Sequence, residues 1–204
     1  MNYTIEELQI IEKVKSEGDD IWKNKLLEPI KRKIKLYYRT NNSEQCCYCR
    51  RDFQDEFNYV IDIEHILPKG NILFTEYMFE IDNLNISCKR CNMNIKNDRI
   101  DFIVDISKIK PDYKISNKYY FIHPNFDNYF EHIDYEVSIR NNKKLIKYIT
   151  KSDKGRYSYT YFHLERIEID TFSEAQGVKT LDTELNPTLP EETKSRFEEL
   201  IDKI

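Results

Sequence analysis

Between Cys46 and Lys96 the chain carries residues whose types and spacing could do chemistry: CCYCRRDFQDEFNYVIDIEHILPKGNILFTEYMFEIDNLNISCKRCNMNIK. Two CxxC pairs, Cys46 with Cys49 and Cys88 with Cys91, bracket an acid and an imidazole side by side, Glu64 and His65, and among their asparagines Asn83; another, Asn92, follows directly. Thiolates two residues apart can both reach one tetrahedral ion from a tight turn, so two such turns predict a closed four-cysteine site of the structural zinc kind. The usual spacer between such pairs is roughly 15 to 20 residues. Here 38 residues intervene, so a segment is inserted. The alternative is a disulfide framework or ordinary buried thiols, but no signal-peptide pattern precedes these cysteines, and reduced cysteines more often bind metal. Cys47, the odd one out, reads as a small apolar side chain beside the clasp.

Elements must position these groups. Residues 58–67 alternate toward β, with Tyr59, Val60, Ile61, Ile63 and Ile66, and then meet Pro68 and Gly70, which open a loop. His65 is therefore expected where a strand ends at a loop mouth. A second strand over 84–87 follows, and the residues after Cys91 can begin a helix with Asn92 in its first turn. The expectation is a β-hairpin followed by a helix.

With those elements in place, IEHILPKG, DNLNISC and CKRCNMNIK resemble the HNH nucleases, a family with a ββα-metal core. The resemblance covers about a quarter of the chain. It implies His65 as the general base that deprotonates water, Glu64 and Asn92 as ligands of one Mg2+ or Mn2+, and Asn83 as the residue that fixes the histidine loop. The final residue is Asn rather than His, a variant the family also shows.

The residue types suit that chemistry on their own terms. Imidazole, with an ordinary pKa near roughly 6.5, can take a proton from water near neutrality. A hard cation needs oxygen ligands, which a carboxylate and an Asn carbonyl supply while leaving positions for water and phosphate oxygens. Few carboxylates lie near the histidine in sequence, which favours one catalytic metal over two. Asp62 shares a strand face with Glu64 and could support or replace it. Asn83 is equally readable as a turn residue beside Asp82. Lys69, Lys89, Arg90, Lys96 and Arg99 are expected to contact phosphate, against the alternative of a solvated face.

The flanks read less sharply. Residues 1–45 form a helical arm: Thr4 and Glu7 have capping-box spacing, Ile5, Leu8, Ile11 and Val14 make one stripe, and Gly18 stops the helix. A second helical stretch, 19–39, should bury Trp22, Leu26, Ile30, Ile34 and Tyr37 or Tyr38, with Pro29 starting a fresh helix or kinking the old one. Its cations, Lys23, Lys25, Lys31, Arg32, Lys33, Lys35 and Arg39, make a phosphate-tracking arm or a solvated face. Beyond the 46–100 core, the extension 101–204 should hold a helix over 101–110, strands over 119–122, 132–139 and 145–149, a helix within 155–167 in preference to a strand of alternating aromatics, a loop over 170–187 and a C-terminal helix after Pro190. His123, His132 and His163 read as structural.

The whole chain has 204 residues, 40% hydrophobic and 33% charged, enough for one substantial core or two small ones. A net charge of −4 argues against a general nucleic-acid binder, so DNA affinity must come from local patches. From residue 163 onward 11 acids face 5 Lys or Arg, which suits a protein partner better than DNA. No run approaches the roughly 20 apolar residues of a membrane helix, so a cytoplasmic location is expected. The order of IEHILPK, NLNISCKRCN, HPNFDNYFEHI and KGRYSYTYFHLERI is also similar to the HNH subunit of Septu-type antiphage systems, sometimes found with retrons. That likeness implies a separate ATPase subunit as partner; this sequence has no GxxxxGK[ST] loop, so nucleotide binding would have to come from that partner. The fold expected is α+β, a zinc-stabilised ββα-metal core between a helical arm and a mixed extension. A stand-alone phage or mobile-element nickase, or a non-catalytic zinc module that binds DNA or protein, are the competing readings.

Overall fold

In the computed structural model, residues 1–18, 20–141 and 143–170 are described. The expected C-terminal helix, the 170–187 loop beyond its first residue and most of the acidic tail lie outside them. The chain is a mixture of helices and small antiparallel sheets. Among the described residues no helix is long and apolar enough to cross a membrane.

Helix α1, Ile5–Glu17, starts where the capping box predicts: the Thr4 hydroxyl accepts from Glu7 N at 3.2 Å and Thr4 N donates to the Glu7 carboxylate at 2.7 Å. It ends at Gly18, whose φ of +79° is open to glycine at no steric cost. The next helix begins later than expected. Two short 3-10 turns, Ile21–Lys23 and Lys25–Leu27, precede α2, Glu28–Asn41, with Pro29 in its first turn. Pro29 therefore starts a fresh helix. The break shifts the phase of the stripe: Leu27, Ile30, Ile34 and Tyr38 are buried, while Leu26, expected inside, is 45% exposed.

Strands β1, Ile61–His65, and β2, Leu84–Cys88, pair antiparallel, with Ile61 opposite Cys88 and His65 opposite Leu84. The connection carries two 3-10 turns, Thr75–Phe79 and Ile81–Asn83. After β2 the chain enters a seven-residue π-helix, Arg90–Lys96, so a helical element does follow the hairpin, wound more loosely than an α-helix. α2 packs on both strands.

Further on, the sequence expectation weakens. Residues 101–110 give only a 3-10 turn at Ile106–Lys108, and 119–122 form no strand beyond the single bridge of Tyr119 to Ile103. Aromatic packing takes over there: Phe102, Tyr119, Phe121, Tyr161 and Phe162 are buried against one another. Short α3, Tyr129–His132, leads into β3, Ile133–Arg140, then β4, Lys143–Thr150, α4, Asp153–Tyr161, and β5, Ile169–Asp170. The helix preferred over a strand in 155–167 is thus α4. By contacts the chain divides into two units. Among the described residues, the first takes Met1–Glu136 with Lys147–Glu168 and holds the cysteines and the hairpin; the second takes Val137–Ile146 with Ile169–Asp170, where β4 pairs antiparallel with β5 through Leu145–Asp170 and Ile146–Ile169.

Candidate metal centre and histidine cavity

The four cysteines of the CxxC pairs come together. Cys46, Cys49, Cys88 and Cys91 are all buried, and their sulfurs lie within 4.8 Å of one another. The Cys49 and Cys88 sulfurs are 3.8 Å apart, about what a tetrahedron with Zn–S of about 2.3 Å requires. Backbone amides support the sulfurs: Cys88 N donates to Cys46 Sγ at 3.3 Å and Cys91 N to Cys88 Sγ at 3.5 Å. No cysteine is paired in a disulfide. This donor set fits a structural zinc ion, and Cys47 stays outside it as a buried side chain. Tyr148 from β4 ties down one turn by donating to the Cys49 carbonyl at 2.5 Å.

His65 ends β1, as the strand-to-loop reading expects. It lines a cavity of about 230 Å³ with Pro68, Lys69 and Gly70 from the following loop and Asn92, Met93, Asn97 and Asp98 from the π-helix and the turn beyond. The residue is 4% exposed, and neither ring nitrogen makes a hydrogen bond of full geometry. Burial, then the ammoniums of Lys69 and Lys96, hold the imidazole well below its ordinary range, against a small opposing pull from the Met78 carbonyl. The ring is therefore neutral near pH 7. An edge-on contact from Trp22, with centroids 4.4 Å apart, is its most intimate aromatic neighbour.

Asn83 clasps the loop after His65. Its amide oxygen accepts from Leu67 N at 2.7 Å, and its amide nitrogen donates to the carbonyls of Leu67 at 3.1 Å and Tyr77 at 3.0 Å. All three bonds are spent on backbone, at 1% exposure.

The acidic residues divide differently from the expectation. Glu64 is fully buried, with its carboxylate 2.8 Å from the Lys96 ammonium and accepting from Tyr48 and Ser87 hydroxyls at 3.2 and 3.4 Å. Burial pushes its carboxyl up, and Lys96 pulls it back. The carboxylate that touches Asn92 is Asp62, which accepts from the Asn92 amide at 3.1 Å and from Lys89 at 3.0 Å. Glu64 and Asn92, expected to share one cation, thus engage separate partners.

Of the five expected phosphate contacts, Lys69 lines the cavity. Lys96 is a correction: it is 1% exposed, donating to the His65 carbonyl at 2.8 Å and to Glu64, because a carboxylate buried in the hairpin demands a counter-charge. Lys89 is held by Asp62 and lies 5.0 Å from the Tyr59 ring. Arg90 donates to the His163 carbonyl at 2.7 Å, and Arg99 pairs with Asp101 over the Tyr161 ring. Along the arm, Lys31, Lys33 and Arg39 pair with Glu28, Glu7 and Glu44, and Lys35 donates to the Asn58 carbonyl. Tyr48, Ser87 and Trp22 were not singled out at this site by the sequence; no local spacing links them to Glu64 or His65. Comparison with known proteins finds no family model, no curated protein and no solved structure that matches the chain.

Proposed function

We propose that the chain is a metal-dependent HNH-type endonuclease that hydrolyses DNA phosphodiester bonds, with His65 as general base and the four cysteines holding a structural zinc. The observation that carries this reading is His65 itself: a neutral imidazole at the end of a strand, with neither nitrogen in a hydrogen bond of full geometry, lining a cavity with Lys69 and Asn92. A buried polar ring without such bonds is costly, so its retention points to a ligand or a reaction.

Oxygen donors suited to Mg2+ or Mn2+ are present at Asn92 and Asp62, which already touch, whereas Glu64 would first have to leave Lys96. When bound, such an ion neutralises charge on the phosphate and the leaving oxygen. The residues of the chain do the rest. His65 accepts the proton of the attacking water, Asn83 holds the loop that presents His65, and Lys69 attracts the phosphate. On the same reading the partner is a separate ATPase subunit, checked by a pulldown.

The test is plasmid cleavage by the full chain in Mg2+ or Mn2+. His65→Ala and EDTA should each abolish it, His65→Ala costing on the order of 10²–10⁴ in rate. Asp62→Asn should cost more than Glu64→Gln once loss of stability is allowed for; the reverse order returns the ligand role to Glu64. If wild type and His65→Ala leave supercoiled DNA equally intact, the nuclease reading falls. The lock between Glu64 and Lys96 favours a second reading, a zinc module that binds DNA or protein without cutting. Retained DNA binding without cleavage would select it.

A further inference from the structure

A histidine that moves protons is commonly oriented by a hydrogen bond from one ring nitrogen to a carbonyl or carboxylate. At His65 the Met78 carbonyl acts on the ring, but neither nitrogen makes a hydrogen bond of full geometry. Shape must add to the restraint. Trp22 meets it edge-on, at a centroid distance of 4.4 Å and an interplanar angle of 83°. The indole is itself fixed: Phe79 packs at 5.7 Å, and the ammoniums of Lys31 and Lys69 lie 5.4 and 5.8 Å from its centre. Such edge-to-face and cation–π contacts set geometry as well as energy.

Trp22 belongs to the 3-10 turn between α1 and α2, outside the hairpin that carries His65. It does not line the cavity, so it is not placed to touch a substrate held there. We propose that Trp22 is a positioning residue for His65: the N-terminal arm supplies the indole that fixes the imidazole plane toward the cavity, so that arm and hairpin together make one site. The catalytic consequence rests on the nuclease reading above. An imidazole free to swing about χ1 and χ2 spends less time aligned with the attacking water, and misplacement of about 1 Å can cost 10²-fold in rate.

The experiment uses the full chain as wild type, Trp22→Ala and Trp22→Phe, with two readouts. In Mg2+-dependent cleavage, Trp22→Ala should lower kcat by roughly tenfold to a hundredfold with KM within about twofold, and Trp22→Phe should recover most of the loss. In NMR spectra of histidine-labelled protein, the His65 ring signals, identified by their absence in His65→Gln, should move in Trp22→Ala while those of His123, His132 and His163 stay. Unmoved His65 signals overturn the positioning role whatever the cleavage assay gives. So does a Trp22→Ala protein with wild-type kcat, or one in which Phe and Ala are equally impaired and equally destabilised. If the His65 signals move but the wild-type chain cuts nothing, it is the nuclease reading that has failed, and the catalytic half of the proposal with it.

Discussion

At the scale of single residues, Lys96 shows how a charge can be diverted. Its ammonium sits 2.8 Å from both the Glu64 carboxylate and the His65 carbonyl, and both side chains of the pair are essentially unexposed. Removing one member of a buried pair leaves the other uncompensated, which typically costs about 3–5 kcal/mol, whereas removing both can be nearly neutral. Lys96→Met should therefore lower the urea midpoint sharply, and Glu64→Gln with Lys96→Met should recover most of that loss. A Lys96→Met protein as stable as wild type would mean that the ammonium is in solvent. Asn83, by contrast, does what its position next to a loop suggests, since an amide offers both a donor and an acceptor to the backbone of Leu67.

At the scale of elements, the hairpin runs into the sulfur cluster, with Cys88 closing β2. β1 and β2 are five residues each, and a two-stranded hairpin of that size is marginal in water. A zinc ion across Cys46, Cys49, Cys88 and Cys91 would supply folding free energy directly. Cys88→Ser should lose bound zinc, measured by atomic absorption, together with cooperative melting, and a strong chelator should do the same to wild type. A melting curve indifferent to both would remove the metal from the fold. Helix α4 makes a second close approach. A Cβ at Gly155 would stand 2.1 Å from the His132 carbonyl oxygen, so even Ala forces backbone apart. Gly155→Ala should cost at least about 1–3 kcal/mol, read by denaturant unfolding; an unchanged midpoint would mean that α4 does not pack there.

For the whole molecule, pH gives the sharpest check. Burial holds the His123 imidazole down to about 3 from an ordinary 6.5, with Asp127 pulling up and Lys154 down. The unfolded state then takes up the proton first. Stability is full above about pH 6.5 and is lost as pH falls from there toward about 3. The melting temperature should drop between pH 7 and 5, and less steeply in His123→Gln; parallel slopes would put His123 in solvent. What the sequence by itself determined is local. The Thr4–Glu7 cap, Gly18 as a stop, the hairpin breaking at Pro68 and the CxxC turns are each settled within a few neighbouring residues, where capping, φ preference and ligand spacing act. Tertiary structure alone decided which partners buried groups took: Lys96 for Glu64 across 32 positions, Asp62 for Asn92, Trp22 for His65, and aromatic packing where 101–110 and 119–122 promised regular elements. The reason is that a buried charge or ring is stabilised by whichever group the packing brings within a few ångströms, and separation along the chain carries no record of that choice.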